Sequence, residues 1–133
     1  MGSLPDGTLL PRHTLAAGMP VIHEPTGEGR TLATEVDRAE SVVAQSRGLM
    51  FRRSIPDDYA LVFPFDGVGR RFIHMLFVPF PIDVVWLADR EVRRVSTMQP
   101  WRSVGYAKAD TVLELPAGAA DGVGVGDTVV VEA

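Results

Sequence analysis

The chain has 133 residues, of which 46% are hydrophobic and 23% charged, with a formal net charge of −4 and no cysteine. This length and composition are those of one globular domain with a single core, not of a disordered segment. The acidic balance argues against a general attraction to nucleic acid or anionic lipid, and the lack of cysteine excludes disulfides, thiolate nucleophiles and sulfur-ligated zinc.

The N-terminal end of the chain differs from the rest. Glycine and proline recur through residues 1–18 without a sustained hydrophobic period, so we expect a poorly ordered arm there and a single domain over residues 19–133. The chain shows no secretory pattern, and no stretch approaches the roughly 20 apolar residues of a membrane helix. We therefore expect a soluble, cytoplasmic protein that binds neither nucleic acid nor membrane, and the oligomeric state stays open.

A hairpin followed by a helix is predicted at the start of the domain. Residues 21–23 and 31–36 are β-compatible runs separated by a loop that contains proline and glycine, which favours a hairpin. Asp37 and Glu40 then fit a variant of the capping box, in which Asp37 accepts hydrogen bonds from first-turn N–H groups. Small and apolar residues at helical spacing follow, so we expect one short α-helix that ends at Gly48.

The remainder of the chain has the pattern of β-strands. Six segments are rich in β-branched and aromatic residues: 59–65, 71–78, 82–87, 91–98, 110–115 and 128–132. Short connections favour antiparallel neighbours, so we predict a mainly β fold, an antiparallel sandwich or small barrel-like sheet with one short helix near its start. Alternation in the fifth segment predicts that Leu113 and Leu115 are buried while Glu114 points to solvent or to a basic partner.

Several separated motifs, in a fixed order, resemble the DUF192 family of uncharacterised proteins. They are RGLMFR (residues 47–52), FIHM (72–75), PID (81–83), Tyr106, VLELPAG (112–118) and GD (126–127). The resemblance runs from about Leu32 to the C-terminus. It implies a compact, mainly β domain with one helix near its start, and it brings no established biochemical activity.

Cationic and aromatic residues are the main candidates for ligand binding. Arg47 and Arg52 follow the predicted helix, where a buried apolar anchor would fix guanidinium groups able to bind a carboxylate or phosphate. Trp101, Tyr106 and Lys108 fall in a long connection over residues 99–109 and are expected to form one lip of a groove. Alternatively, the arginines are merely solvated and the aromatic residues close the open end of the sheet.

Two further polar residues lie in apolar segments. His74 is either a hydrogen-bonded core residue or an acid/base group, and the wide spacing of the three histidines predicts no metal site and no cofactor. Asp83 needs a partner, because burying an isolated carboxylate costs several kcal/mol. That partner is either a backbone clamp or an arginine, with Arg47, Arg52 and Arg71 as the candidates.

Three hypotheses for function follow. The leading one is a non-catalytic binding domain for a small anionic or carbohydrate-like ligand, because the polar candidates are sparse and mostly cationic or aromatic. The second is a small hydrolase-like or isomerase-like enzyme that uses Asp83 with His74, which requires both side chains in one pocket. The third is a protein-interaction module, for which a large exposed apolar patch is the sign.

Overall fold

The computed structural model describes residues 21–24, 30–41, 45 and 47–131, and the arm predicted at residues 1–18 lies outside them. These residues contain eight strands: β1 (Val21–Glu24), β2 (Arg30–Ala33), β3 (Glu35–Arg38), β4 (Tyr59–His74), β5 (Ile82–Ala88), β6 (Glu91–Met98), β7 (Val104–Pro116) and β8 (Thr128–Val131). Within this part of the chain, no helix is both long enough and apolar enough to cross a membrane.

All eight strands belong to one sheet in the order β2-β1-β8-β6-β5-β7-β4-β3. Its pairs are antiparallel except β3 with β4, which is parallel. The two edge strands, β2 and β3, are separated in the chain by Thr34 alone, so the sheet must curl until its edges approach each other. The mainly β prediction is confirmed, and the architecture is an open, barrel-like sheet.

The central strand β5 is buried at every position from Ile82 to Ala88. Its alternate side chains face two different hydrophobic clusters, because successive residues of a strand point to opposite faces. Residues from all eight strands, such as Val62, Val85 and Leu113, meet in an inner cluster within the curl. A second cluster, on the other face of β5, includes Phe63 and Trp86 and is covered by the segments that flank β4.

The predicted start of the helix is wrong. Asp37 lies inside β3, where its register partner in the parallel pair is Leu61 of β4, and its carboxylate accepts a hydrogen bond from the Tyr59 hydroxyl at 2.9 Å. The Asp37 carboxylate, which the local pattern assigned to a helix cap, is therefore hydrogen-bonded to a residue of a strand distant in the sequence. Gln45 and Arg47 do have helical geometry, and Gly48 follows in a left-handed conformation with φ of +50°, as expected where a helix ends.

The two long strands differ from the predicted segments. Residues 66–69, which separate two of the predicted strand segments, form an irregularity inside β4, where the pairing with β7 shifts between Pro64 and Gly69 and then resumes. Arg71 stabilises this irregularity by donating hydrogen bonds to the carbonyls of Gly67 and Ala109. Most of the predicted connection over residues 99–109 is strand, because β7 already begins at Val104.

Candidate functional site

The outer surface of the β4–β7 ribbon carries a row of exposed side chains, which we call the ribbon face. Its members are three cross-strand pairs: Arg70 with Lys108, Phe72 with Tyr106, and His74 with Val104. All six are exposed, whereas the alternate residues of the same strand segments, such as Ile73 and Gly105, are turned inward. The sheet register therefore places two aromatic rings next to a pair of basic side chains on one surface.

The aromatic pair at the centre of the ribbon face is open to solvent on its outer side. The Phe72 and Tyr106 rings stack with centroids 5.2 Å apart, yet the two residues remain 68% and 51% exposed. The Arg70 guanidinium carbon lies 5.9 Å from the Tyr106 ring centroid, within cation–π range. Large exposed aromatic residues grouped in this way are a sign of a binding surface.

A second aromatic group, the aromatic loop, adjoins the end of the ribbon and consists of Phe51, Phe77 and Trp101. The Phe77 centroid lies 5.0 Å from that of Phe51 and 5.8 Å from that of Trp101. All three residues have positive φ, between 61° and 71°, and are exposed. Backbone hydrogen bonds, including Phe51 N–H to the Phe77 carbonyl at 2.8 Å, hold these conformations. Strained conformations of this kind are often found at functional sites.

Beneath Gly48, next to the ribbon face, lies a cavity of about 40 Å³. Its wall includes Arg47, Phe72, His74 and Glu114, so the cavity adjoins the ribbon face through two shared residues. Space of this size holds roughly three water molecules or one small polar group. A Cβ at Gly48 would lie 3.4 Å from the Phe63 ring and 3.7 Å from a Glu114 carboxyl oxygen, so Gly48 forms the roof of the cavity.

Glu114 is the most unusual ionisable residue of the site. It lies on β7 opposite Leu61 of β4 and Val84 of β5, and it is only 5% exposed. Among the residues that the structure describes, none donates a hydrogen bond to its carboxyl group. Burial raises the pKa of Glu114 to about 8, and the nearby Arg52 guanidinium offsets this only in part. The carboxyl group is therefore mostly protonated at neutral pH.

Arg52 connects Glu114 to a second polar group. Its guanidinium carbon lies 5.2 Å from the centroid of the Tyr59 ring, and the Tyr59 hydroxyl donates to Asp37. Burial and the Asp37 hydrogen bond raise the pKa of Tyr59 well above its usual range, so the phenol stays neutral. Arg52 therefore faces the protein interior rather than an open cleft.

Asp83 is fully engaged on the opposite face of the sheet. It is 2% exposed and accepts hydrogen bonds from the Thr97 hydroxyl at 2.7 Å and from the N–H groups of Gly118 and Ala120, both at 3.0 Å. No arginine takes part in these hydrogen bonds. The requirement for a partner is met by a backbone clamp that fixes the turn after β7.

The structure brings some of the predicted site residues together and separates others. His74, Tyr106 and Lys108 share the ribbon face, and Arg47 meets His74 at the cavity wall. Trp101 belongs to the adjoining aromatic loop. Arg52 and Asp83 lie elsewhere, as described above.

Three site residues were missed by sequence reasoning. Arg70 and Phe72 are brought to the ribbon face by the pairing of β4 with β7, and Glu114 lies in the cavity. The arginine beside Tyr106 is Arg70, whereas Arg52 lies over the Tyr59 ring. Leu49 is buried as the expected anchor, whereas Phe51 is exposed.

His74 has an ordinary hydrogen-bonding role in the site. Its Nδ1 accepts a hydrogen bond from the Leu76 N–H at 3.2 Å, so in the neutral side chain the proton is on Nε2. No group of three or more histidine or acidic side chains able to hold a metal ion occurs within the described ranges.

Comparisons with known proteins identify related sequences. The sequence model of the DUF192 family, described as "Uncharacterized ACR", matches residues 21–131. A UPF0127 protein of Thermococcus kodakarensis is 30% identical over 93 residues, which is 68% of this chain and 59% of that protein. A UPF0127 protein of Thermococcus sibiricus is 34% identical over 98 residues, or 71% of this chain and 62% of that protein. The chain thus spans about three fifths of the length of these relatives.

Two solved structures share the fold. One is a protein of unknown function from Novosphingobium aromaticivorans, with a TM-score of 0.73 and 24% identity, covering 84% of this chain and 83% of that one. The other, from Sinorhizobium meliloti, has been suggested to be a transcription regulator. It has a TM-score of 0.74 and 25% identity, covering 89% of this chain and 97% of that one.

Proposed function

The chain belongs to the DUF192 family of uncharacterised proteins, and we propose that it is a non-catalytic binding domain for a small carbohydrate-like ligand that carries an anionic group. The observation that carries this proposal is the ribbon face, in which the exposed Phe72 and Tyr106 rings lie next to the basic pair of Arg70 and Lys108. The proposal keeps the cytoplasmic location expected from the sequence.

The chemistry of the ribbon face suits an acidic sugar. The C–H groups of a sugar ring pack on the flat face of an aromatic side chain, and this contact removes apolar surface from water. A carboxylate on the same sugar can accept charge-assisted hydrogen bonds from a guanidinium or ammonium group, each of which contributes roughly 1.5 to 3 kcal/mol. Arg70 and Lys108 form the cross-strand pair next to the rings, so both cations lie beside a sugar packed there.

The enzyme hypothesis has no geometric support. Asp83 already accepts three hydrogen bonds, and the cavity lined by His74 does not include it. General acid/base catalysis by these two residues would require both to reach one substrate. We therefore do not propose catalysis by this pair.

Titration with glucuronate oligomers tests the proposed function. Trp101 is exposed near the ribbon and Trp86 is buried, so a change in tryptophan emission reports chiefly on Trp101. We expect saturable binding that weakens at least tenfold in Tyr106→Ala, which corresponds to about 1.4 kcal/mol. Val125→Ala truncates an exposed side chain that does not belong to the ribbon face, and it serves as the control.

The charge on the ligand is tested with a matched neutral sugar. Lys108→Gln should weaken binding of glucuronate oligomers and leave the weaker binding of glucose oligomers unchanged. The same titration is repeated with a single-stranded oligothymidylate, because aromatic and basic surfaces also bind unpaired nucleic acid. Preference for the oligothymidylate, or uronate binding that survives Tyr106→Ala, would overturn the proposal.

The aromatic loop favours a second candidate function, a protein-interaction module. Phe51, Phe77 and Trp101 expose apolar rings on strained backbone, which suits an extended peptide as well as a sugar. Selection from a displayed peptide library, followed by Trp101 emission titrations, separates the two candidates. Peptides that bind more tightly than glucuronate and lose affinity in Phe77→Ser would favour the interaction module.

A further inference from the structure

We infer that a second carboxylate of the ligand, separate from the one that Arg70 and Lys108 are proposed to bind, enters the cavity beneath Gly48 and accepts a hydrogen bond from the buried carboxyl group of Glu114. This inference rests on the proposed function and adds a second carboxylate site and a dependence on pH. Its basis is the position of the cavity, the charges around it, and the lack of a hydrogen-bond donor to Glu114 among the described residues.

The cavity has the size of one functional group. Its volume of about 40 Å³ is far too small for a sugar ring, but it can hold a carboxylate. Phe72 and His74 belong both to the ribbon face and to the cavity wall. A sugar ring packed against Phe72 would therefore extend a substituent into the cavity.

A buried carboxyl group aimed into this space needs a partner. Buried polar groups are hydrogen-bonded in nearly all native structures, and each exception requires a physical explanation. Glu114 is 5% exposed, and no described residue donates to it. A ligand oxygen in the cavity can accept a hydrogen bond from the carboxyl O–H and so complete the hydrogen bonding of Glu114.

The charged and titratable groups that face Glu114 are mainly cationic. The segment above the cavity contributes Arg47 and Arg52, and the end of β4 contributes His74. Val84 of β5 and Val78 of the loop after β4 are apolar neighbours. Two guanidinium groups create a positive potential, which favours an anion in the cavity and disfavours an ammonium ion.

The protonation of Glu114 makes binding depend on pH. Burial raises the pKa of Glu114 to about 8, so the carboxyl group can donate at neutral pH. Above that value the ionised group repels a carboxylate and no longer offers a proton. Affinity for a carboxylate should therefore be nearly constant at pH 6–7 and fall about tenfold by pH 9.

Acetate is a suitable probe, because it presents the carboxylate without a sugar ring. We would follow amide chemical shifts during acetate titrations at pH 6.5 and pH 9, with methylammonium as the matched cation. Wild type should bind acetate about tenfold more weakly at pH 9. Glu114→Gln should bind acetate with little pH dependence, because an amide N–H donates at every pH. Glu91→Gln alters an exposed acid on β6 and is the control.

Each outcome decides the inference. Acetate affinity that does not change between pH 6.5 and 9 in wild type, a pH profile unchanged in Glu114→Gln, or preference for methylammonium would overturn it. The wild-type profile alone is decisive if the variant does not fold. Failure of acetate to bind, with uronate binding still dependent on Tyr106, would overturn the cavity site and leave the proposed function standing. If acetate does not bind and uronate binding does not depend on Tyr106, both the cavity site and the proposed function are overturned.

Discussion

Removing the Asp83 carboxylate tests the hydrogen-bond clamp directly. In Asp83→Ala the buried Ala120 N–H loses its acceptor, which costs about 1–3 kcal/mol for an unsatisfied group. The Thr97 hydroxyl and the Gly118 N–H can form hydrogen bonds with water, because both residues are exposed. Losing each of these two contacts to Asp83 therefore costs about 1 kcal/mol. We therefore expect the free energy of unfolding to fall by about 3–5 kcal/mol.

Asp83→Asn is the matched control for this prediction. Both backbone N–H groups bond to one carboxylate oxygen, and the Thr97 hydroxyl bonds to the other. The amide oxygen of asparagine can replace the first, and its NH₂ can donate to the Thr97 oxygen, so all three contacts survive without the charge. The loss should be about 1–2 kcal/mol.

Urea-induced unfolding followed by circular dichroism measures both losses. Thr97→Val removes one donor from the clamp and should cost about 1 kcal/mol. Equal losses in the alanine and asparagine variants would refute the proposed geometry, because asparagine retains hydrogen bonds that alanine lacks. A loss below about 1 kcal/mol in Asp83→Ala would also refute it.

Three further predictions concern stability and are measured by the same urea method. The free energy of unfolding of the wild type should fall by up to about 1.4 kcal/mol per pH unit between pH 5 and 8, because Glu114 keeps its proton in the folded state and has released it in the unfolded state. Glu114→Gln should remove this pH dependence, and an unchanged pH profile would contradict the prediction. Tyr59→Phe removes the hydrogen bond to Asp37 and should cost about 1 kcal/mol, and a neutral result would show that water replaces it. Gly105→Ala should cost about 1–3 kcal/mol, because the added methyl would lie 3.2 Å from the buried Trp86 ring, and a stabilised variant would show that the ring moves freely.

The central part of the sheet follows from sequence pattern alone. β5 has apolar residues on both faces, so its position between two clusters was predictable, and it is buried throughout. Leu113 and Leu115 were correctly predicted to be buried. The hairpin of β1 with β2 is also confirmed. In these segments the local pattern and the tertiary environment agree.

The start of β7 was missed because its inward side chains are small. Gly105 and Ala107 alternate with exposed Tyr106 and Lys108, which is a strand pattern of period two. The large Trp86 ring fills the space inside, so only small residues fit against it. The period-two alternation was present in the sequence. It was not recognised because the large aromatic side chain points outward and the small residues point inward, whereas buried positions of a strand usually carry the large apolar side chains.

The helix boundary failed for a different reason. The residues from Asp37 to Glu40 fit a helix start as well as they fit a short strand, and nothing local separates the two. Parallel pairing of β3 with β4 decides between them, and its register joins Asp37 to Leu61, which is 24 residues away. Such long-range pairing cannot be inferred from capping chemistry.

Glu114 shows why the centre of the cavity was not predictable. Between Leu113 and Leu115, an acidic residue normally marks the solvent face of a strand that is covered on one side. Here β7 is covered on both sides, by the inner cluster and by the segment that contains Gly48, so the alternate face is also buried. An apolar side chain would fill this position at no desolvation cost, whereas the glutamate is held neutral by its surroundings. The stability of the sheet therefore does not require an acid at this position, and the proposed hydrogen bond to a ligand carboxylate would give it a role.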